Sequence, residues 1–198
     1  MLSLDVRALG VDLMSLSAHK FYGPKGIGLL YARRGTPLQA QITGGGQQGR
    51  RRSGTEPVPL IVGLAEALHL AEHERAASVA KLTTLRDYLI KSICEIMPTA
   101  EITGHPTERL AGHASFTLHN MNGDAVLLDL NEVGFGASGG SACTTGQQEP
   151  SHVLVATGVD PDRLMGQVRF VLGKGNTQQQ IDAFLYHLAA IGTRNQSV

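Results

Sequence analysis

Residues 11–17 and 27–32 form two short apolar runs on either side of Gly23-Pro24-Lys25-Gly26. Proline removes a backbone donor and fixes φ, and glycine supplies the freedom a turn requires, so the pair reads as two short strands joined through a turn. Whatever stands between them is held at a strand end, and here that is Ser17-Ala18-His19-Lys20. An amine that closes a buried strand among apolar neighbours loses hydration, which disfavours its charged form and leaves free base to attack a carbonyl. Ser17 and His19 offer a hydroxyl and an imidazole to an anionic group, while Gly23 and Gly26 let backbone approach closely. The combination points to an aldehyde cofactor that carries a phosphate. A lysine taken alone reads more simply as a solvated turn residue.

Periodicity outlines the rest. Residues 33–56 form a loop rich in glycine, glutamine and arginine, long enough to be functional. Pro57 and Pro59 precede an apolar run at 60–68, a helix with proline near its start, and a second helix fills 76–96 and ends before Pro98. Residues 114–119 and 167–172 read as strands, 123–131 and 177–191 as helices. The expected class is α/β, with residues 1–75 belonging to one domain and 76–198 forming a small α+β domain. The active site is expected at their join, where pockets often form. No internal repeat or low-complexity tract is evident.

The two cysteines differ in setting. Cys143 lies in Ala137-Ser138-Gly139-Gly140-Ser141-Ala142-Cys143-Thr144-Thr145-Gly146, a run with no large side chain to bury a thiol, so an exposed and reactive thiol is expected. Cys94, in Leu89-Ile90-Lys91-Ser92-Ile93-Cys94, reads as a small core residue.

Together these segments resemble the NifS/IscS-type cysteine desulfurases of the class V aminotransferase group. The resemblance runs from Val11-Asp12-Leu13-Met14-Ser15-Leu16-Ser17-Ala18-His19-Lys20 through Gly44-Gly45-Gly46, Arg52-Ser53-Gly54-Thr55, Ser141-Ala142-Cys143-Thr144 and Glu149-Pro150-Ser151 to Val168-Arg169-Phe170. It implies the C-terminal part of a fold type I, aspartate aminotransferase-like enzyme, in which residues 1–75 are the remainder of the large cofactor-binding domain. It also implies pyridoxal 5'-phosphate held by Lys20 as a Schiff base, with Ser17, His19 and Thr55 as phosphate ligands, Thr55 reaching across a homodimer. Cys143 takes the substrate sulfur as a persulfide, and Arg169 grips the carboxylate of L-cysteine, for which a planar two-pronged donor suits better than lysine. A sulfur-acceptor protein such as an iron–sulfur scaffold is the implied partner. Gln47 and Gln48 depart from the histidine and glutamate expected there.

Such enzymes carry, ahead of the lysine motif, an aromatic residue that stacks on the pyridine ring, a carboxylate that pairs with its nitrogen, and a first phosphate-binding turn. Only 19 residues precede Lys20 here. The chain therefore resembles the C-terminal half, and alone it is expected to be inactive and, with a shared core divided, to self-associate. Two other readings stand beside the desulfurase: a non-catalytic domain that accepts sulfur or docks a partner, and another class V enzyme such as a selenocysteine lyase or an aminotransferase.

Composition excludes several classes. Seventeen basic residues balance 17 acidic ones and no aromatic residue lies within Arg50-Arg51-Arg52, which argues against nucleic-acid binding. No apolar stretch reaches the length of a membrane span and no secretory signal is evident, so a cytoplasmic location and no membrane partner are expected. His69 and His73 share a helix face, but without a third ligand no metal is expected. His105, His113 and His119 read as solvated or hydrogen-bonded residues. Glu149-Pro150-Ser151 reads as a helix start.

Overall fold

β1 (Leu13–Ser17) and β2 (Gly28–Ala32) pair antiparallel with Ser17 opposite Gly28 and Leu13 opposite Ala32, so the Gly-Pro-Lys-Gly segment does return the chain on itself. In the computed structural model, which describes residues 2–139 and 150–195, the chain divides into two compact units, Leu2–Ala76 and Ala77–Val198.

In the first unit β1 runs into a 3-10 turn, Ala18–Phe21, closed by Tyr22 in the left-handed conformation at φ 67°. Ala18 is fully buried, and a Cβ on Gly23 would stand 3.0 Å from Ala18 Cβ and 3.1 Å from Ala67 Cβ. Glycine lets the turn seat against the helix that carries Ala67 without either neighbour shifting. The loop that follows contains α1 (Gln47–Arg50), one turn in which Gln48, Gly49 and Arg50 all have positive φ, at 51°, 62° and 63°. α2 (Val58–His73) then starts with Pro59 in its first turn, where the missing N–H would have had no helical partner. Leu64 and Ala67 are its buried residues.

This unit buries little else. Leu13, Leu29, Leu30, Ile42, Val58, Ile61, Val62 and Leu70 are all exposed. A two-stranded sheet with apolar side chains on both faces has the composition of strands from a larger sheet covered on both sides.

The second unit has a conventional core. α3 (Arg75–Ile96) turns Leu82, Leu85, Leu89 and Ile93 inward, and Met97 continues the stripe. β3 (Ala100–Ile102), β4 (His113–Leu118) and β5 (Gln167–Val171) form an antiparallel sheet with β4 central. Ala114, Phe116 and Leu118 face the core with Val168 and Phe170, joined by Val126 and Leu130 of α4 (Gly123–Glu132) and by Ile181, Phe184, Leu185, Leu188 and Ile191 of α6 (Gln178–Asn195). Asn122 caps α4, its side-chain oxygen accepting from the Asp124 and Ala125 amides. α5 (His152–Ala156) follows Ser151, and Pro161–Gly166 is a second 3-10 segment leading into β5.

Cys94 corrects an expectation: it is exposed. The buried stripe advances through Leu89, Ile93 and Met97, and the residue after Ile93 lies about 100° around the helix from it. No helix among the described residues is long and apolar enough to cross a membrane.

Candidate functional site

Lys20 lies in the 3-10 turn that ends β1, between exposed His19 and half-buried Phe21, and is itself exposed, as is Ser17. The strand leading to it alternates between exposed and half-buried positions, so this unit does not supply the burial that would strip water from the amine. The nucleophile reading therefore rests on the neighbouring groups. Among the described residues no carboxylate is ion-paired with Lys20; the exposed acid–base pair of this region is Arg33 with Asp12, at 3.2 Å. Hydroxyl, imidazole and primary amine thus stand within four consecutive residues, fixed at one end by buried Ala18.

Thr55 is exposed on the loop before α2, and its surroundings explain the glutamines that depart from the family pattern. Gln47 Oε1 accepts from the Gly54 amide at 3.3 Å, and Gln48 Nε2 donates to Glu56 Oε1 at 2.7 Å. Ser53 Oγ donates to the Gly45 carbonyl at 2.7 Å, and the Arg52 guanidinium donates to the Ser53 carbonyl. Gln47 thus holds the backbone before Thr55, and Gln48 the side chain of the residue after it.

In the second unit Arg169 projects from β5 opposite Ser115, on the face away from the core. Its backbone pairs with Ser138, N–H to O and O to N–H, and its Nη2 donates to Ser138 Oγ at 2.9 Å. Arg169 Nε is buried and has no partner. A buried guanidinium N–H without an acceptor is costly to maintain, so this atom marks a place where an acceptor belongs. The same face carries Thr103 Oγ1 bonded to Ser115 Oγ at 2.7 Å. His113, half-buried beside it, is held below the usual imidazole range by burial and then by the charges of Arg109 and Arg169.

Cys143 lies outside the described residues. Ser138, from which that loop departs, was not distinguishable by sequence from the other small residues around it; its role comes from pairing with Arg169 across 31 residues. His105 is hydrogen-bonded as expected, its Nδ1 accepting from the Glu108 amide at 2.8 Å. His119 differs, with Nδ1 buried and unpartnered. His69 and His73 stack with centroids 6.4 Å apart, and no group of three or more metal-ligating side chains occurs among the described residues.

The class V aminotransferase family profile matches residues 2–184. Cysteine desulfurase IscS of Methanosarcina thermophila is 46% identical over 182 residues, 92% of this chain and 45% of the relative. Cysteine desulfurase 2 of Trichormus variabilis is 39% identical over 195 residues, 98% of this chain and 49% of the relative. Among solved structures, a NifS-like protein superimposes with a TM-score of 0.86 at 35% identity, over 98% of this chain and 49% of that one. SspA, solved in complex with cysteine, superimposes with a TM-score of 0.59 at 32% identity, over 85% of this chain and 46% of that one. The chain spans about half the length of the curated relatives it matches. Its α/β architecture is half of the fold of these NifS-like proteins.

Proposed function

We propose, from the premise that this chain belongs to the class V aminotransferase family, that it carries the lysine, the sulfur-accepting thiol and the carboxylate clamp of a pyridoxal 5'-phosphate-dependent cysteine desulfurase. The observation that carries this reading is the Ser17-Ala18-His19-Lys20 turn, where a solvent-facing amine adjoins a hydroxyl and an imidazole. That donor set fits a phosphate-bearing aldehyde: Lys20 Nζ for the carbonyl carbon, Ser17 and His19 for the phosphate oxygens. Thr55 reaches the phosphate of a second copy of the chain, which makes a homodimer part of the site. When bound, the cofactor supplies an electron sink for negative charge at the substrate's carbons.

The chain's own groups divide the remaining work. Lys20 Nζ moves protons at the substrate carbons once it is free to do so. Arg169, anchored through Nη2 to Ser138 Oγ, binds the carboxylate. Cys143 Sγ, as thiolate, forms a bond to the substrate sulfur as the carbon–sulfur bond breaks. The bonding electrons stay with the carbon fragment, which is protonated to L-alanine, and a persulfide remains on Cys143. L-cysteine as substrate is supported by the neighbour solved in complex with cysteine. The persulfide passes to an acceptor protein such as an iron–sulfur scaffold, and a reducing compartment, the cytoplasm, suits a free thiol.

The test is to mix the chain with pyridoxal 5'-phosphate, record the visible absorption, reduce with borohydride and map the labelled peptide in wild type and in Lys20→Ala. Label confined to Lys20 supports the reading. Label spread over surface lysines, unchanged in Lys20→Ala, sinks the assignment of Lys20 in this chain.

A further inference from the structure

Four buried side-chain polar atoms among the described residues have no hydrogen-bond partner: Thr99 Oγ1, His119 Nδ1, Gln167 Oε1 and Arg169 Nε. They are not scattered. The β4 register sets Gln167 opposite Thr117 and Arg169 opposite Ser115, and the β3–β4 ladder continues beyond Ala100 and Leu118 through a bond from the His119 amide to the Thr99 carbonyl. Since side chains alternate along a strand, Gln167 and Arg169 belong to the face opposite Phe116, Phe170 and the rest of the core, while Thr99 and His119 stand in the turns just beyond β3 and β4.

Two of the four are complementary. Gln167 Oε1 can only accept and Arg169 Nε can only donate, and they sit two residues apart on one strand, about 7 Å along it, with parallel side chains. Turning a terminal amide costs less than leaving a buried donor and a buried acceptor unmatched side by side.

We infer that Gln167 is a positioning residue for Arg169: its Oε1 accepts from Arg169 Nε and, with Ser138 Oγ on Nη2, fixes the plane of the guanidinium. These two acceptors occupy the side edge of the fork. The end edge, Nη1 with Nη2, is left to a carboxylate, which it meets with two parallel N–H···O bonds. Without Gln167 the guanidinium turns about a single anchor at Ser138. The chemical class recognised at the end edge, a small carboxylate, rests on the desulfurase reading; the Gln167–Arg169 pair does not.

The experiment is side-chain NMR on the 198-residue chain with ¹⁵N-labelled arginine. The Arg169 Nε–H signal is assigned by its loss in Arg169→Lys. In wild type it exchanges slowly with solvent; in Gln167→Leu exchange accelerates at least about tenfold, as expected for loss of one buried hydrogen bond. Gln167→Glu keeps an acceptor oxygen and retains the protection. Unchanged exchange in Gln167→Leu, with the backbone amides of β4 and β5 unmoved, overturns the proposal. If the leucine variant loses its fold, loss of protection in a folded Gln167→Glu overturns it equally. None of these readings depends on catalysis, so failure of the enzyme assignment and failure of the pairing are separable.

Discussion

Ser138 and Arg169 meet three times: two backbone bonds at 3.1 and 2.6 Å and one from Nη2 to Oγ at 2.9 Å. They stand 31 positions apart in sequence, yet the contact ties the only arginine of β5 to the segment that leads toward Cys143. Cys143 stands five positions after Ser138, which covalent geometry limits to a Cα span of about 18 Å.

Replacing Arg169 with lysine keeps the charge and removes the fork. A charge-assisted pair is worth about 1.5–3 kcal/mol, so Arg169→Lys is expected to raise the KM for L-cysteine roughly 10- to 100-fold in the assembled enzyme. The KM and kcat of the variant, measured separately, check this. A fall in kcat with unchanged KM would contradict a carboxylate-binding role.

Gly23 allows no side chain without displacement, since a Cβ would crowd Ala18 Cβ and O at 3.0 Å and Ala67 Cβ at 3.1 Å. Gly23→Ala is expected to cost about 1–3 kcal/mol by overpacking and to disturb the turn that carries Lys20. Urea titration followed by far-ultraviolet circular dichroism reports the first effect. Borohydride trapping of pyridoxal 5'-phosphate on Lys20 reports the second.

His113 links stability to pH. Burial, Arg109 and Arg169 all disfavour its protonation in the folded state, so the unfolded chain takes up the proton first. Stability from this group is intact above the ordinary imidazole range and declines as pH falls through it. The urea midpoint is expected to drop between about pH 7.5 and about pH 5.5, a window that brackets the unperturbed value. His113→Gln should flatten that slope, and an identical slope in the variant would rule out His113 as its source.

Leu30 at 51% exposure and Val62 at 61% represent the uncovered apolar surface of the first unit. The purified chain is expected to self-associate, with the apparent mass in sedimentation rising with concentration, and Leu30→Lys with Val62→Lys should reduce that dependence. A monodisperse monomer of the wild type would count against it.

The legible elements are those whose period could repeat. The hairpin around Gly-Pro-Lys-Gly, the two long helices, β4 and β5 all appear where the alternation of apolar residues locates them. β3 has three residues, too few to display a period, and escapes a sequence reading, whereas α5 starts right after Ser151, where Glu149-Pro150-Ser151 reads as a helix start. Cys94 was misjudged because an apolar neighbourhood in sequence is not one on a helix, where Ile93 and Cys94 diverge. Lys20 sits on the turn its motif implies but without burial, since a local pattern does not reveal what covers it. Ser138 and Gln167 become meaningful only through strand register, though the position of Gln167 two residues before Arg169 on the same face was available from alternation alone.

The outward-facing Cys94 changes how sulfur on this protein must be counted. Any alkylating probe or radiolabelled donor offered to the wild type meets the exposed Cys94 thiol on a helix unconnected with the proposed chemistry, and a stoichiometry above one per chain would say nothing about turnover. Substitution at that position removes the background without opening a hole, because nothing in the core leans on it. Sulfur-loading measurements belong in a Cys94→Ser background, where each labelled atom has a single cysteine to account for it.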